Sequence, residues 1–124
     1  MLVNLRSGAT FTRVDGPGNY KRVAGTSVGV GMALGICRLL NMYNDPTEMV
    51  NGAVKGDSSN IDMSVGDIYG GGYSGIGLPG NMIASSFGRL KDMDNCEEVA
   101  REDVARSLIT LIGVNNIIFS KMVA

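Results

Sequence analysis

A glycine-rich segment at residues 25–31 constrains the fold of this chain more than any other feature. It follows a β-branched run at residues 20–24 and leads into residues 28–42, where apolar side chains recur at helical spacing. The predicted order is therefore strand, glycine turn, helix. Small residues at such a junction let backbone N–H groups approach an anion, and the helix N-terminus supplies partial positive charge. The sequence predicts either a phosphate site or a turn that only packs a helix close to a sheet, and the pattern alone favours packing.

Known phosphate-binding signatures are missing from this turn. No Gly-Lys-Ser/Thr of a Walker A loop follows it, and it is not the GxGxxG of a dinucleotide fold. Residues 4–8 (NLRSG) form a second strand-and-turn feature of the same kind. Arg22 ends a strand beside the glycine turn, where a guanidinium is placed to bind a carboxylate or phosphate with two nitrogens, although most single arginines are solvated surface groups.

The N-terminal part of the chain has the pattern of a β-meander. Strands are predicted at residues 2–4, 9–14 and 20–24, and Asp-Gly-Pro-Gly at 15–18 marks the turn between the last two. The fold class predicted from these elements is α/β.

Two further helices carry recognisable start signals. Residues 45–48 (DPTE) combine a capping aspartate with a proline suited to the first helical position, and Gly56 is a plausible stop. A long final helix is predicted over residues 97–122, with Asn95 and Glu98 as its capping box. Its C-terminal half is apolar on nearly every side, so we expect it to contact the rest of a larger domain or a second subunit.

The stretch between these helices, residues 58–86, is predicted as a long ordered loop with a weak helical turn around residues 61–68. Asp67 lies near glycines there, and Asp57 directly precedes the stretch, beside Gly56; carboxylates in such places can hold Mg²⁺ through water molecules. Aspartate next to glycine is also ordinary turn chemistry, which is the interpretation we favour.

Charge and composition exclude several classes of function. The net charge is −1, from 11 basic and 12 acidic residues, with no basic stripe, so nucleic acid is not an expected partner. The absence of histidine excludes Ser-His-Asp or Cys-His catalysis and the usual zinc sites. Cys37 and Cys96 are predicted to be reduced thiols in a cytoplasmic protein. The most apolar stretch, residues 28–40, is too short to cross a bilayer and contains Arg38, and residues 1–11 do not resemble a signal peptide.

Several short segments carry a family resemblance. They are residues 19–23 (NYKRV), 25–27 (GTS) with Gly29 and Gly31, Gly35, 38–40 (RLL), 56–58 (GDS), 67–71 (DIYGG), 77–80 (GLPG) and 84–88 (ASSFG). Together, in unbroken order from about Leu2 to Ala124, they resemble the middle of the type II (eukaryotic-type) pantothenate kinases.

The resemblance implies a fold and an activity. The family has the acetate kinase–hexokinase–Hsp70–actin-like fold, in which two α/β lobes surround an ATP cleft. It uses ATP and Mg²⁺ to phosphorylate the 4′-hydroxyl of pantothenate, the first step of coenzyme A biosynthesis. Residues 1–124 are expected to form a single partial domain belonging to the second lobe. The final helix resembles the helix through which the family dimerises.

The resemblance also implies roles for particular residues. Pantothenate or an acyl-CoA feedback inhibitor is expected at Ser7, Thr10 and Arg22. The second phosphate-facing loop, which binds ATP, is expected at Gly25, Thr26, Ser27, Gly29 and Gly31. The lining of the pantetheine and acyl channel near the dimer interface is expected at Tyr69, Tyr73, Ile83 and Ala84.

The chain departs from the family pattern at Arg6, Val30 and Met32, which replace smaller residues in the two turns. An arginine in a turn that needs close backbone approach could block nucleotide or strain the loop. The family's first phosphate loop, catalytic glutamate and adenosine-binding segment are expected outside these 124 residues, so no catalytic residue is assigned and the isolated chain is expected to be inactive. The alternative is a non-catalytic relative or fragment that acts as a regulatory or structural dimer partner.

Overall fold

The computed structural model describes residues 1–70 and 77–124. The chain forms two compact units, one of residues 1–50 with 108–124 and one of residues 51–107. Among the described residues the architecture is α/β, with two small antiparallel sheets, four α-helices and a few short 3₁₀ turns.

The first unit begins with the predicted meander. Strands β1 (Leu2–Leu5), β2 (Ala9–Gly16) and β3 (Asn19–Thr26) form an antiparallel sheet in that order. Side chains alternate between the two faces of a strand, and the inward positions of β2, Ala9 and Phe11, are buried. This face of the sheet therefore belongs to the core of the first unit.

Two helices follow the meander, as predicted. Helix α1 (Val30–Leu39) buries Ala33 and Cys37, one turn apart, and burial raises the pKa of the Cys37 thiol. Helix α2 (Pro46–Lys55) starts at the predicted cap, where Asp45 Oδ1 accepts a hydrogen bond of 2.8 Å from the amide of Thr47.

The second unit contains secondary structure that the sequence pattern did not indicate. Strand β4 (Met63–Ser64) pairs with β5 (Ile83–Ser85), and both are too short to show a period of two. Helix α3 (Val65–Tyr69) overlaps the weak helical turn predicted around residues 61–68. Ser64 and Asp67 form a capping box there, and the hydrogen bonds from Ser64 lower the pKa of the Asp67 carboxyl.

The final helix is α4 (Arg101–Val123), which begins four residues later than predicted. Asn95 Oδ1 instead accepts from the amide of Glu97 at 3.0 Å and caps a 3₁₀ turn over Cys96–Glu98. The predicted capping box was therefore wrong for α4, because the capping residue serves a separate short turn. In the first unit the ring of Phe119 on α4 meets Phe11 edge-on, with centroids 4.9 Å apart.

Within the described part of the chain, no helix combines the length and apolarity needed to cross a bilayer.

Candidate functional site

The first unit carries an open cavity of ≈490 Å³ on the meander and its turns. It brings together six of the predicted binding residues: Ser7, Thr10, Arg22, Gly25, Thr26 and Ser27. The other lining residues are Asn4, Arg6, Gly8 and Ala9. The two turns that the sequence predicted as binding elements therefore lie at one cavity.

Strand register explains why these residues meet. Asn4, Thr10 and Gly25 are direct neighbours across the three strands. Because side chains alternate along a strand, this row lies on the face opposite to buried Ala9 and Phe11. With no side chain at Gly25, the row leaves space above β3 into which the Arg22 side chain fits.

A β-bulge brings Arg22 to the same face. Phe11 pairs with Ala24, but Thr12 pairs with Arg22, so Val23 is an extra residue on β3. Without this extra residue, Arg22 would point to the opposite side of the sheet, since each one-residue shift reverses the side chains. The bulge therefore re-aims the guanidinium towards the cavity.

The Arg22 guanidinium lies directly over Gly25. A Cβ at residue 25 would overlap with Nη2 of Arg22, so any side chain there would displace the arginine. Among the residues that the structure describes, no acidic group forms an ion pair with Arg22. Its side chain is exposed and its donors are available to a ligand.

The glycine loop holds α1 against the turn between β1 and β2. The amide of Val30 donates to the Arg6 carbonyl at 2.8 Å, and the amide of Gly31 donates to the Ser7 carbonyl at 3.1 Å. A Cβ at Gly29 would lie 2.6 Å from the carbonyl carbon of Gly8. The glycine loop and the turn between β1 and β2 are thus held together by backbone contacts, as expected if the glycines serve packing.

The contact between the glycine loop and the turn between β1 and β2 determines which groups are free to bind an anion. The amides of Val30 and Gly31 are occupied by protein carbonyls, so a phosphate beside α1 would compete with hydrogen bonds already formed. Contact between a ligand and Gly29 or Gly31 stays a prediction. The side-chain donors that line the cavity include the guanidinium of Arg22 and the hydroxyls of Ser7, Thr10 and Ser27.

Arg6 is a further residue of the cavity that sequence reasoning had treated only as an obstacle. Its position in the turn beside Ser7 places it in the lining, together with Arg22. The lining contains these two arginines and no acidic residue, so the cavity favours negatively charged ligands.

Asn116 is a second residue to which sequence reasoning assigned no role. It is buried, and its Nδ2 donates to the carbonyls of Val28 at 3.0 Å and Ile112 at 2.8 Å. The amide of Val28 donates to Thr26 Oγ1 at 3.2 Å. The backbone at residue 28 is thereby fixed on both sides, directly after the cavity residue Ser27.

The remaining predicted site residues belong to the second unit or fall outside the described residues. Tyr69 is an exposed residue at the end of α3, and Ile83 and Ala84 lie in β5. Tyr73 lies outside the described residues. Within residues 1–70 and 77–124, no three acidic or cysteine side chains are close enough together to hold a metal ion.

Comparisons with known proteins agree on one family. The model of the Fumble family matches residues 1–124. Pantothenate kinase 1 of Arabidopsis thaliana is 47% identical over 117 residues, which cover 93% of this chain and 30% of that protein. Pantothenate kinase 2 of the same plant is 44% identical over 93% of the chain and 13% of its own length. Pantothenate kinase of Schizosaccharomyces pombe is 42% identical, with 93% and 29% covered. The chain thus spans less than a third of each relative.

Proposed function

The chain belongs to the Fumble family, and from that membership we propose that it forms a substrate-binding part of a pantothenate kinase. In this reaction the γ-phosphate of ATP is transferred to the 4′-hydroxyl of pantothenate, at the start of coenzyme A biosynthesis. The relatives named pantothenate kinase support the reaction class. The observation that carries the proposal is the cavity over Gly25, with Arg22 and Arg6 and no acidic residue in its lining.

Pantothenate matches the donors of this cavity. It carries one carboxylate, which a guanidinium binds with two parallel hydrogen bonds, and hydroxyl and amide groups that suit the hydroxyls of Ser7 and Thr10. An acyl-CoA inhibitor shares the pantoyl-β-alanine part, in which the pantothenate carboxylate has become an amide, and it carries phosphates that the guanidinium would bind instead. We assign the carboxylate or phosphate contact to Arg22 and the hydroxyl contacts to Ser7 and Thr10.

ATP would contact the residues of the predicted phosphate loop rather than Ser7 and Thr10. Gly25, Thr26 and Ser27 are the members of the predicted phosphate loop that line the cavity, while Gly29 and Gly31 hold the loop in place. Phosphoryl transfer depends mainly on positioned oxygens and neutralised charge, which Mg²⁺ supplies when bound with the nucleotide. This chain's own contribution is the backbone and hydroxyls of the loop and the charge of Arg22.

The finer features of the family are part of the same proposal. They are the actin-like second-lobe fold, a cytoplasmic location, and an acyl channel lined by Tyr69, Tyr73, Ile83 and Ala84.

Calorimetry tests the function with a matched pair of ligands. Pantothenate and acetyl-CoA are expected to bind the 124-residue chain, whereas panthenol, which has an alcohol in place of the carboxylate, is expected to bind about 10- to 100-fold more weakly than pantothenate. This factor corresponds to the loss of a charge-assisted hydrogen bond, about 1.5–3 kcal/mol. Chemical shift changes in NMR spectra should centre on Ser7, Thr10 and Arg22. Equal affinity for panthenol, or shifts confined to other residues, would contradict the proposal.

Dimerisation through α4 is proposed on a separate observation. Val114, Ile117, Ile118 and Met122 lie on the C-terminal half of α4 and are 48–78% exposed. They form an apolar surface, and such surfaces on a helix are commonly covered by a partner. A second copy of the chain is the occupant implied by the family resemblance.

Ile118→Glu is expected to raise the dimer dissociation constant at least about 10-fold, because a charge would be buried without a partner. Sedimentation velocity over a range of concentrations measures the change. Val54→Glu is the control, since Val54 is an exposed apolar residue of α2 and carries the same substitution. A wild-type chain that stays monomeric at every concentration would refute the dimer.

A further inference from the structure

The second unit contains a buried carboxylate in which only one of the two oxygens has hydrogen-bond partners among the described residues. Asp62 is 4% exposed. Its Oδ1 accepts hydrogen bonds from the amide of Phe87 at 2.8 Å and from Ser107 Oγ at 2.5 Å. Its Oδ2 is buried and has no hydrogen-bond partner among the described residues. A buried oxygen of this kind is costly unless a donor or a cation compensates it.

Arg89 contacts Asp62 but does not supply this compensation. Arg89 Nε donates to the backbone carbonyl of Asp62 at 3.0 Å, and Arg89 Nη2 forms an ion pair of 2.6 Å with Asp67 Oδ1. The guanidinium is therefore engaged by the main chain of Asp62 and by a different carboxylate. The carboxylate of Asp62 keeps an oxygen that no described cation contacts.

Phe87, which donates to Asp62, adopts an unfavourable backbone conformation in this arrangement. Its φ is 61°, in the left-handed region that residues other than glycine, asparagine and aspartate seldom adopt. Its amide in this conformation is the donor to Asp62 Oδ1. The fold thus supplies two hydrogen-bond donors to Oδ1 of Asp62 and none, among the described residues, to Oδ2.

Asp62 lines a cavity of ≈300 Å³ that is rich in neutral oxygen atoms. The other lining residues are Ser58, Ser59, Ser64, Asp67, Asn81, Ile83 and Arg89. Two carboxylates and one guanidinium give the lining a net charge of −1, which a single positive charge would balance. Hydroxyl and amide oxygens are hard ligands, suited to hard cations rather than to soft transition metals.

We propose that this cavity binds a monovalent alkali cation, potassium or sodium, with the carboxylate of the lining residue Asp62 as its charged ligand. Ser58 and Asn81, which line the same cavity, offer neutral oxygens as further ligands. A divalent ion fits less well, because calcium sites combine several carboxylates and the described residues hold no group of three acidic side chains. Nothing in this assignment depends on the pantothenate kinase proposal, since it uses other residues and another ligand.

Thermal unfolding of the 124-residue chain tests the site. The melting temperature is measured in potassium, sodium and tetramethylammonium chloride at equal ionic strength, because tetramethylammonium is too large for oxygen coordination. We expect potassium or sodium to raise Tm by about 5 °C over tetramethylammonium when the cation is at roughly ten times its Kd. Asp62→Asn should abolish this difference, because it keeps the shape and removes the charge.

Two variants make the result decisive. Asp15→Asn removes the same charge from an exposed position on β2 and should keep the cation effect. Asn81→Ala alters an exposed residue of the cavity, so it is informative even if Asp62→Asn fails to fold, and it should raise the half-maximal cation concentration roughly fivefold. Equal Tm values in all three salts, an undiminished effect in Asp62→Asn, or no change in Asn81→Ala would overturn the proposal.

Discussion

Arg22→Gln is expected to weaken the binding of pantothenate and acetyl-CoA to the 124-residue chain about 100-fold. The guanidinium is exposed, lies over Gly25 and has no acidic partner among the described residues, so its donors are free to bind a ligand. A bidentate arginine–carboxylate pair contains two charge-assisted hydrogen bonds, each contributing about 1.5 kcal/mol or more, and their loss together corresponds to about two orders of magnitude in Kd. Calorimetry measures the change directly.

Stability should hardly change in this variant, because an exposed side chain without an ion pair contributes little to folding. Arg22→Lys keeps the charge and loses the planar pair of donors, so its affinity should fall about 10-fold. Arg13→Gln is the matched control: Arg13 is an exposed residue of β2 that pairs with Asp15 outside the cavity, and its loss should leave affinity within about twofold. If Arg13→Gln and Arg22→Gln weaken binding equally, the effect is one of net charge and the assigned role of Arg22 is wrong.

The sequence was sufficient for the elements that local patterns determine. The meander, the glycine turn, α1 and the Asp45 cap of α2 each depend on signals within a few residues, and all are present. The final helix was also predicted, but its start was misplaced, since Asn95 has the same capping chemistry whether a 3₁₀ turn or an α-helix follows. Boundaries of this kind depend on competing local structures of similar energy.

The site was predictable only in part, because its geometry depends on pairing between strands. The bulge at Val23 sets the direction of Arg22, and a one-residue shift in register leaves no trace in the spacing of residues along β3. The use of the Val30 and Gly31 amides by the carbonyls of Arg6 and Ser7 is likewise a long-range contact. Asn116 meets Val28 across 88 positions of sequence, beyond the reach of any local pattern.

Gly29→Ala is expected to lower the free energy of unfolding by about 3 kcal/mol and to abolish ligand binding. Its φ of −146° is open to any residue, so the penalty comes from space alone. A Cβ there would lie 2.6 Å from the Ser7 carbonyl oxygen and 2.7 Å from the Gly8 Cα, and neither backbone atom can move without separating α1 from the turn between β1 and β2. Insertion of a methyl group into packed backbone costs about 1–3 kcal/mol, and this contact has no flexible neighbour to yield.

Gly35→Ala is the same substitution in the helix that follows, and it is expected to raise rather than lower the free energy of unfolding. Gly35 lies within α1, and a Cβ there would meet no atom within 4 Å. Alanine should therefore stabilise the chain by about 0.5–1 kcal/mol, the usual gain over glycine inside a helix. Urea unfolding followed by circular dichroism compares the two variants, and calorimetry with acetyl-CoA compares their binding. A Gly29→Ala protein as stable as the wild type would show that the two turns do not need backbone contact, and the cavity built between them would lose its structural basis.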